Sequence, residues 1–203
     1  MRKFNWQLYL MFSVFILLVF SVSTAHANTF SVTDLNSLDH SLAYAWQINT
    51  TLIPAGQTIT GVTLTFTNLY DYTSETNYLY IGLLNTTPYN KGKSGVYSFS
   101  DNQNGFQDYF SSQYGANGAQ LKVWSDPDGP STKTTLTVTI DPKYYSWLAD
   151  GNFTITVDPD CHYYDGGVTL DLCTRPIPEP STMLLYATGL VALLAFRRKS
   201  RAV

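Results

Sequence analysis

Charge is scarce in this chain: only 13% of its 203 residues are Asp, Glu, Lys or Arg, and the formal net charge is −3. A nucleic-acid footprint is basic and clustered, so that class is excluded. Glutamate is rarer still, with Glu75 and Glu179 the only two, and the histidines number three. No G-x-S-x-G turn, H-E-x-x-H helix or P-loop occurs, which removes the motif-bearing hydrolases and nucleotide enzymes. Cysteine is limited to Cys161 and Cys173. With His162 they make too small a ligand set for a structural zinc site. Long apolar runs are missing too, since neither terminal run reaches the ~20 residues of a comfortable membrane span.

What remains is rich in β-forming residues. The chain is 44% hydrophobic and 15% aromatic, with 15 Tyr, 11 Phe and 4 Trp, so it has ample material for a core. A Tyr- and Thr-rich, Lys- and Glu-poor composition favours strands over helices. Period-two alternation recurs through Leu42–Ile48, Val62–Phe66, Leu79–Leu83, Leu121–Val123, Leu136–Ile140, Phe153–Val157 and Val168–Leu172, which predicts about seven strands, each with one apolar and one polar face. Turn residues separate them at Pro54-Ala55-Gly56, Asn104-Gly105, Asn117-Gly118, Asp126-Pro127-Asp128-Gly129 and Asp165-Gly166-Gly167. One short helix is expected, capped by Asp141, opened by Pro142 and ended by Gly151. The expected fold is all-β: a single antiparallel β-sandwich of Greek-key or jelly-roll type over 28–175.

The two ends are a different kind of polymer. Arg2 and Lys3 precede a 15-residue apolar run, Leu8 to Val22, and then Ala25-His26-Ala27. That order predicts a secretory signal peptide over 1–27, helical before removal by signal peptidase; an N-terminal anchor is the alternative. At the other end Pro178-Glu179-Pro180 precedes the apolar stretch Met183 to Phe196, and a basic tail, 197–201, follows. Fourteen apolar residues make roughly 21 Å of helix at ~1.5 Å per residue, short for a bilayer core of ~30 Å. A short transmembrane helix is therefore expected at 183–196, with the basic tail cytoplasmic and the middle of the chain outside the inner membrane. Between the ends, residues 28–175 hold six basic and fourteen acidic residues, so that domain carries −8.

The Pro-Glu-Pro triplet, short apolar helix and Arg-rich end together resemble the PEP-CTERM sorting signal of Gram-negative bacteria, over about the last 26 residues. The resemblance implies recognition at Pro178, Glu179 and Pro180 by a membrane-embedded exosortase, cleavage nearby, and delivery to the cell surface or the extracellular polysaccharide matrix. Residues 176–203 are thus expected to form a proline spacer and sorting signal. An ordinary anchor with a proline-rich spacer is the alternative. Leu83-Leu84-Asn85, Trp124-Ser125-Asp126-Pro127 and Asp158 to Tyr164 also resemble PEP-CTERM proteins of uncharacterised function, a likeness that brings no catalytic residue.

Candidate chemistry within the domain is sparse. Both cysteines fall in the exported segment, where oxidation is permitted, so a Cys161–Cys173 disulfide is expected. Asp158, Asp160 and Asp165 place three carboxylates within eight residues, a hard-oxygen set that suits calcium, though not at EF-hand spacing. A polar loop whose aspartates form turns is the simpler reading, and no other cofactor is suggested. Tyr70, Tyr72, Tyr78, Tyr80, Tyr89, Tyr97, Tyr109, Tyr114, Tyr163 and Tyr164 exceed what one core needs; they suit sugar rings or a protein partner, or merely cover sheet faces. The Asn-x-Thr sequons at Asn49, Asn85 and Asn152 are what a Thr-rich chain produces by chance. The expected function is that of an exported, non-enzymatic structural or adhesive protein. The alternatives are a calcium-assisted carbohydrate-binding module and a secreted hydrolase with a carboxylate pair.

Overall fold

In a computed structural model the structure describes residues 25–89, 93–101, 107–126, 129–177 and 185–191. The body of the signal peptide, Pro178-Glu179-Pro180 and the basic tail lie outside the described residues, as does half of 183–196. Residues 185–191 are helical, with Leu185, Tyr186, Leu190 and Val191 exposed, and no described helix is long and apolar enough to cross a membrane.

The described residues form antiparallel sheets. The strands are β1 (His26–Val32), β2 (Ser37–Leu38), β3 (Leu42–Asn49), β4 (Gln57–Asp71), β5 (Leu79–Leu84), β6 (Gly95–Ser100), β7 (Gly118–Trp124), β8 (Thr134–Thr139), β9 (Asn152–Pro159), β10 (Tyr163–Tyr164) and β11 (Val168–Pro176). One sheet runs β1-β11-β4-β10-β2, with β8 on β4; the other runs β6-β3-β9-β5-β7. Along β4, Tyr163 faces Asp71 and Val168 faces Phe66 in one unbroken register, so β10 and β11 are a single column interrupted at 165–167. Likewise β2 extends the column of β1, pairing Leu38 with Tyr163.

The alternation written in the sequence sets the core. Val62, Leu64 and Phe66 of β4 and Val168, Leu170 and Leu172 of β11 are buried, and they share one apolar cluster with Tyr44, Trp46, Ile81, Leu83, Ile155 and Val157 of the other sheet. Each such side chain fully removed from water contributes about 2 kcal/mol. The helix forms where expected: Asp141 Oδ1 accepts from Lys143 N at 2.9 Å, a 3-10 turn covers Pro142–Tyr144, and α1 follows at Tyr145–Ala149. Gly151 ends it at φ +70°, where a Cβ would collide with the Thr50 carbonyl oxygen.

The second sheet departs from the expected one-faced pattern. Its central strands β3 and β9 are buried on both faces. Residues 107–117, between β6 and β7, cross the outer face, placing Phe110 on Ala43 and Ala45 with Tyr89, Phe99, Tyr109 and Tyr114 around it. Small residues make this possible. A Cβ on Gly82 would collide with the Tyr114 ring and Thr156 Oγ1, so glycine here lets the Tyr114 side chain lie against the sheet.

The two ends of the domain carry different loops. His26 pairs with Thr174 and Pro176 with Gln57, so both chain termini leave from one end. The opposite end gathers the described residues 39–41, 72–78, 101, 107–108, 125–126, 129–133 and 160–162, where β2 leads to β3, β4 to β5, β6 toward β7, β7 to β8 and β9 to β10.

Candidate functional site

The loop-bearing end concentrates buried carboxylates. Asp71, Asp101, Asp108, Asp126 and Asp158 are all buried. Most of them anchor loops. Asp71 accepts from Thr73 N (3.0 Å) and Asn77 Nδ2 (2.7 Å), while Asp126 Oδ2 accepts from Asp71 N at 3.1 Å. Asp108 accepts from Phe110 N (3.0 Å) and Gln120 Nε2 (3.2 Å), fixing the start of the segment that crosses the second sheet. Asp158, on β9, accepts from Tyr109 N through Oδ2 at 2.7 Å, but its Oδ1 is buried with no hydrogen-bond partner.

Burying a carboxylate without a cation favours its neutral form. Burial first, then the charges of Asp101, Asp108 and Asp160, push Asp158 up to about 7, against the pull of the Tyr109 N–H. Burial and Asp71 push Asp160 up to about 6, opposed by the Tyr78 N–H it accepts. Asp165 rises to about 6 through burial, opposed by its 2.6 Å bond from Gly167 N.

The three aspartates singled out for calcium do not converge. Asp158 and Asp160 lie together at the end of β9, whereas Asp165 sits in the break between β10 and β11, where its N–H donates to Asn36 O. The neighbours of Asp158 are instead Asp101 and Asp108, which belong to a different loop.

The expected disulfide is absent, for both cysteines are free thiols. Cys173 faces Gly61 across the ladder, while Cys161 stands two residues before Tyr163, which faces Asp71. Ten residue steps of β4 separate those positions, roughly 30 Å at ~3.3 Å per residue, against the ~7 Å between Cα atoms that a bridge tolerates. Nearness in sequence misled because the intervening chain runs out along the strand rather than turning back. Cys161 Sγ turns to Thr73 Oγ1 at 3.7 Å, and burial pushes its thiol up.

Four of the ten tyrosines are spent on packing. Tyr163 is fully buried; Tyr89, Tyr109 and Tyr114 pack over the second sheet. A smaller group is open to solvent. Tyr70 stacks on Tyr164 (centroids 5.4 Å, planes 26° apart), Tyr72 leans on Tyr164 at 6.4 Å, and Lys133 Nζ lies 5.5 Å from the Tyr70 ring. Tyr72 is 62% exposed and forms the crest. Its ring also meets His162 edge-on at 6.4 Å.

Next to that ridge the fold joins three residues from two distant parts of the chain. His40 and His162, 122 positions apart, bring their Nδ1 atoms to 3.2 Å. Asp39 lies 3.5 Å from His40 Nδ1 through Oδ1 and 3.5 Å from His162 Nε2 through Oδ2. Ser41 orients the carboxylate through its N–H (2.9 Å) and hydroxyl (2.8 Å), and these bonds, chief among the causes, hold Asp39 below the usual carboxylate range. The one available signal was scarcity: His40 and His162 are the only histidines between Asn28 and Arg175.

The strand β11 runs into Pro176 with no linker, and from that residue the PEP-CTERM protein-sorting motif matches residues 176–199. The chain carries a PEP-CTERM sorting signal. The signal implies export, membrane-anchored transit and processing by an exosortase. No curated protein matches the chain.

Proposed function

We propose that the chain is an exosortase-sorted surface or matrix protein of a Gram-negative bacterium, whose domain works without catalysis as a structural or adhesive module. The domain then reads as a jelly-roll sandwich: β1-β11-β4-β8 facing β3-β9-β5-β7, with β6 added outside β3. Signal peptidase removal of 1–27 would leave β1 starting at Asn28, a loss of two residues from an edge strand.

The observation that carries the adhesive reading is the placement of the aromatic ridge. Both termini leave from the far end, so a domain still held by its tail presents Tyr70, Tyr72 and Tyr164 outward. Flat rings with polar tips suit the apolar faces of sugar rings, which makes extracellular polysaccharide the partner of choice. A shallow cleft of about 190 Å³ elsewhere, lined by Ile53, Gln57, Thr58, Ile59, Tyr145, Ser146 and Ala149, offers no carboxylate pair for hydrolysis. The buried aspartates are covered by the loops they anchor, which also supports the non-catalytic reading.

The test is a pull-down on polysaccharide from the native matrix, comparing the protein with its Tyr72→Ala/Tyr164→Ala variant. The expected result is retention by the parent protein and loss by the variant. A chelator arm separates calcium assistance from bare stacking. Equal retention of both proteins, or none of either, refutes the ridge as a glycan surface.

A further inference from the structure

We propose that Asp39, His40 and His162 form a binding site for a divalent transition-metal ion, with zinc the best fit. One ligand atom from each of the three lies within 4.8 Å of the others, a convergence of three metal-ligating side chains among the described residues. The spacing suits a metal. Ligand atoms held at ~2.0–2.1 Å from a tetrahedral zinc stand about 3.3 Å apart. Two edges fall close to that value, the two Nδ1 atoms at 3.2 Å and the carboxylate oxygen 3.5 Å from His40 Nδ1, and the third spans no more than 4.8 Å.

The chemistry agrees with the geometry. Two imidazoles and one carboxylate are borderline ligands that select zinc and its neighbours over calcium or magnesium. Two bare ring nitrogens at this distance repel unless one carries a proton toward the other, and an ion would take the place of that proton. Outer partners are already built. Ser41 grips the carboxylate, Asp39 N donates to the Tyr44 hydroxyl at 2.9 Å, and the His162 carbonyl accepts from Tyr72 N at 2.9 Å. All three ligands are partly exposed, so an ion can enter and one or more positions stay open to water or to a donor from another molecule. The nearby Cys161 does not join, because its Sγ turns to Thr73.

The proposal stands independently of the polysaccharide reading, since zinc can bind whether or not glycan does. The experiment uses untagged, full-length protein, titrated with zinc by calorimetry and with cobalt by visible absorption. The expected result is one zinc per chain and a cobalt d–d band that zinc abolishes. His40→Ala and His162→Ala each lose the band, Asp39→Asn weakens binding, and Ser41→Ala weakens it about ten-fold. Circular dichroism confirms that each variant keeps its strands; should one fail to fold, the remaining variants still decide. Zinc bound equally by the parent protein and a folded His40→Ala/His162→Ala variant overturns the site, as does no binding by the parent.

Discussion

The two ends of the domain are built on opposite principles. At the terminal end, His26, Gln57, Thr174 and Pro176 meet in strand pairing with one register shift between Cys173 and Thr174, and the acids there, Asp141 and Asp150, sit on the surface capping turns. At the other end, five buried aspartates, a tyrosine ridge and a histidine pair crowd the loops. The contrast keeps the sorting signal apart from the loops that hold the buried aspartates, the tyrosines and the histidine pair. The stretch that is read by the export machinery leaves by one end, and the chemically distinctive residues are kept some fourteen strand steps away along β4.

The contrast can be broken first at Phe110. If the segment that crosses the second sheet is a true second layer, Phe110→Ala costs about 3–5 kcal/mol in denaturant unfolding, as much as a core residue. A loss near that of a surface substitution would show the layer to be loose. Gly82→Ala comes next. Its Cβ would collide with Tyr114 and Thr156, and the expected loss is about 1–3 kcal/mol with Tyr114 displaced.

Titration separates the buried aspartates of the loop end from the surface cap at Asp141 by sign. Asp158, Asp160 and Asp165 have folded pKa values above their unfolded ones, so the folded state holds extra protons between the two. Their contribution is fully present below about pH 4 and is lost as pH rises through about 6 and then about 7. Melting temperature should therefore fall from pH 5 to pH 8, a range of about three units, and Asp158→Asn should flatten that slope and raise stability at the alkaline side. Asp141 behaves oppositely: the Lys143 N–H holds it below the usual range, so its contribution is present at neutral pH and lost in acid. Asp141→Asn should give the smallest effect of the four, confined to neutral pH and leaving the acid-side melting temperature unchanged.

Much of the core was legible because its physics is local. The parity of Leu42 to Ile48, or of Val168 to Leu172, states which face is inward, and the helix signals at Asp141, Pro142 and Gly151 are short-range chemistry. The second layer was not legible, because nothing local says that Ala43, Ala45 and Gly82 make room for Phe110 and Tyr114. Small residues standing where a solvent-facing strand would carry Thr or Lys are the clue in hindsight. The disulfide failed for a related reason: spacing along the chain says little about distance once the chain runs straight. The histidine pair depends on β2 and β10 lying side by side, a contact across 122 residues that periodicity cannot reveal. The sorting tail was readable from sequence because recognition of such signals works on short linear order.

The most direct test of the division between address and working face is the intact mass of the protein isolated from its own cells, with its thiols alkylated. The expected species lacks residues 1–27 and the tail beyond the Pro178-Glu179-Pro180 neighbourhood, and both Cys161 and Cys173 are alkylated without prior reduction. A full-length chain retained in the inner membrane of a host with an active exosortase would contradict it.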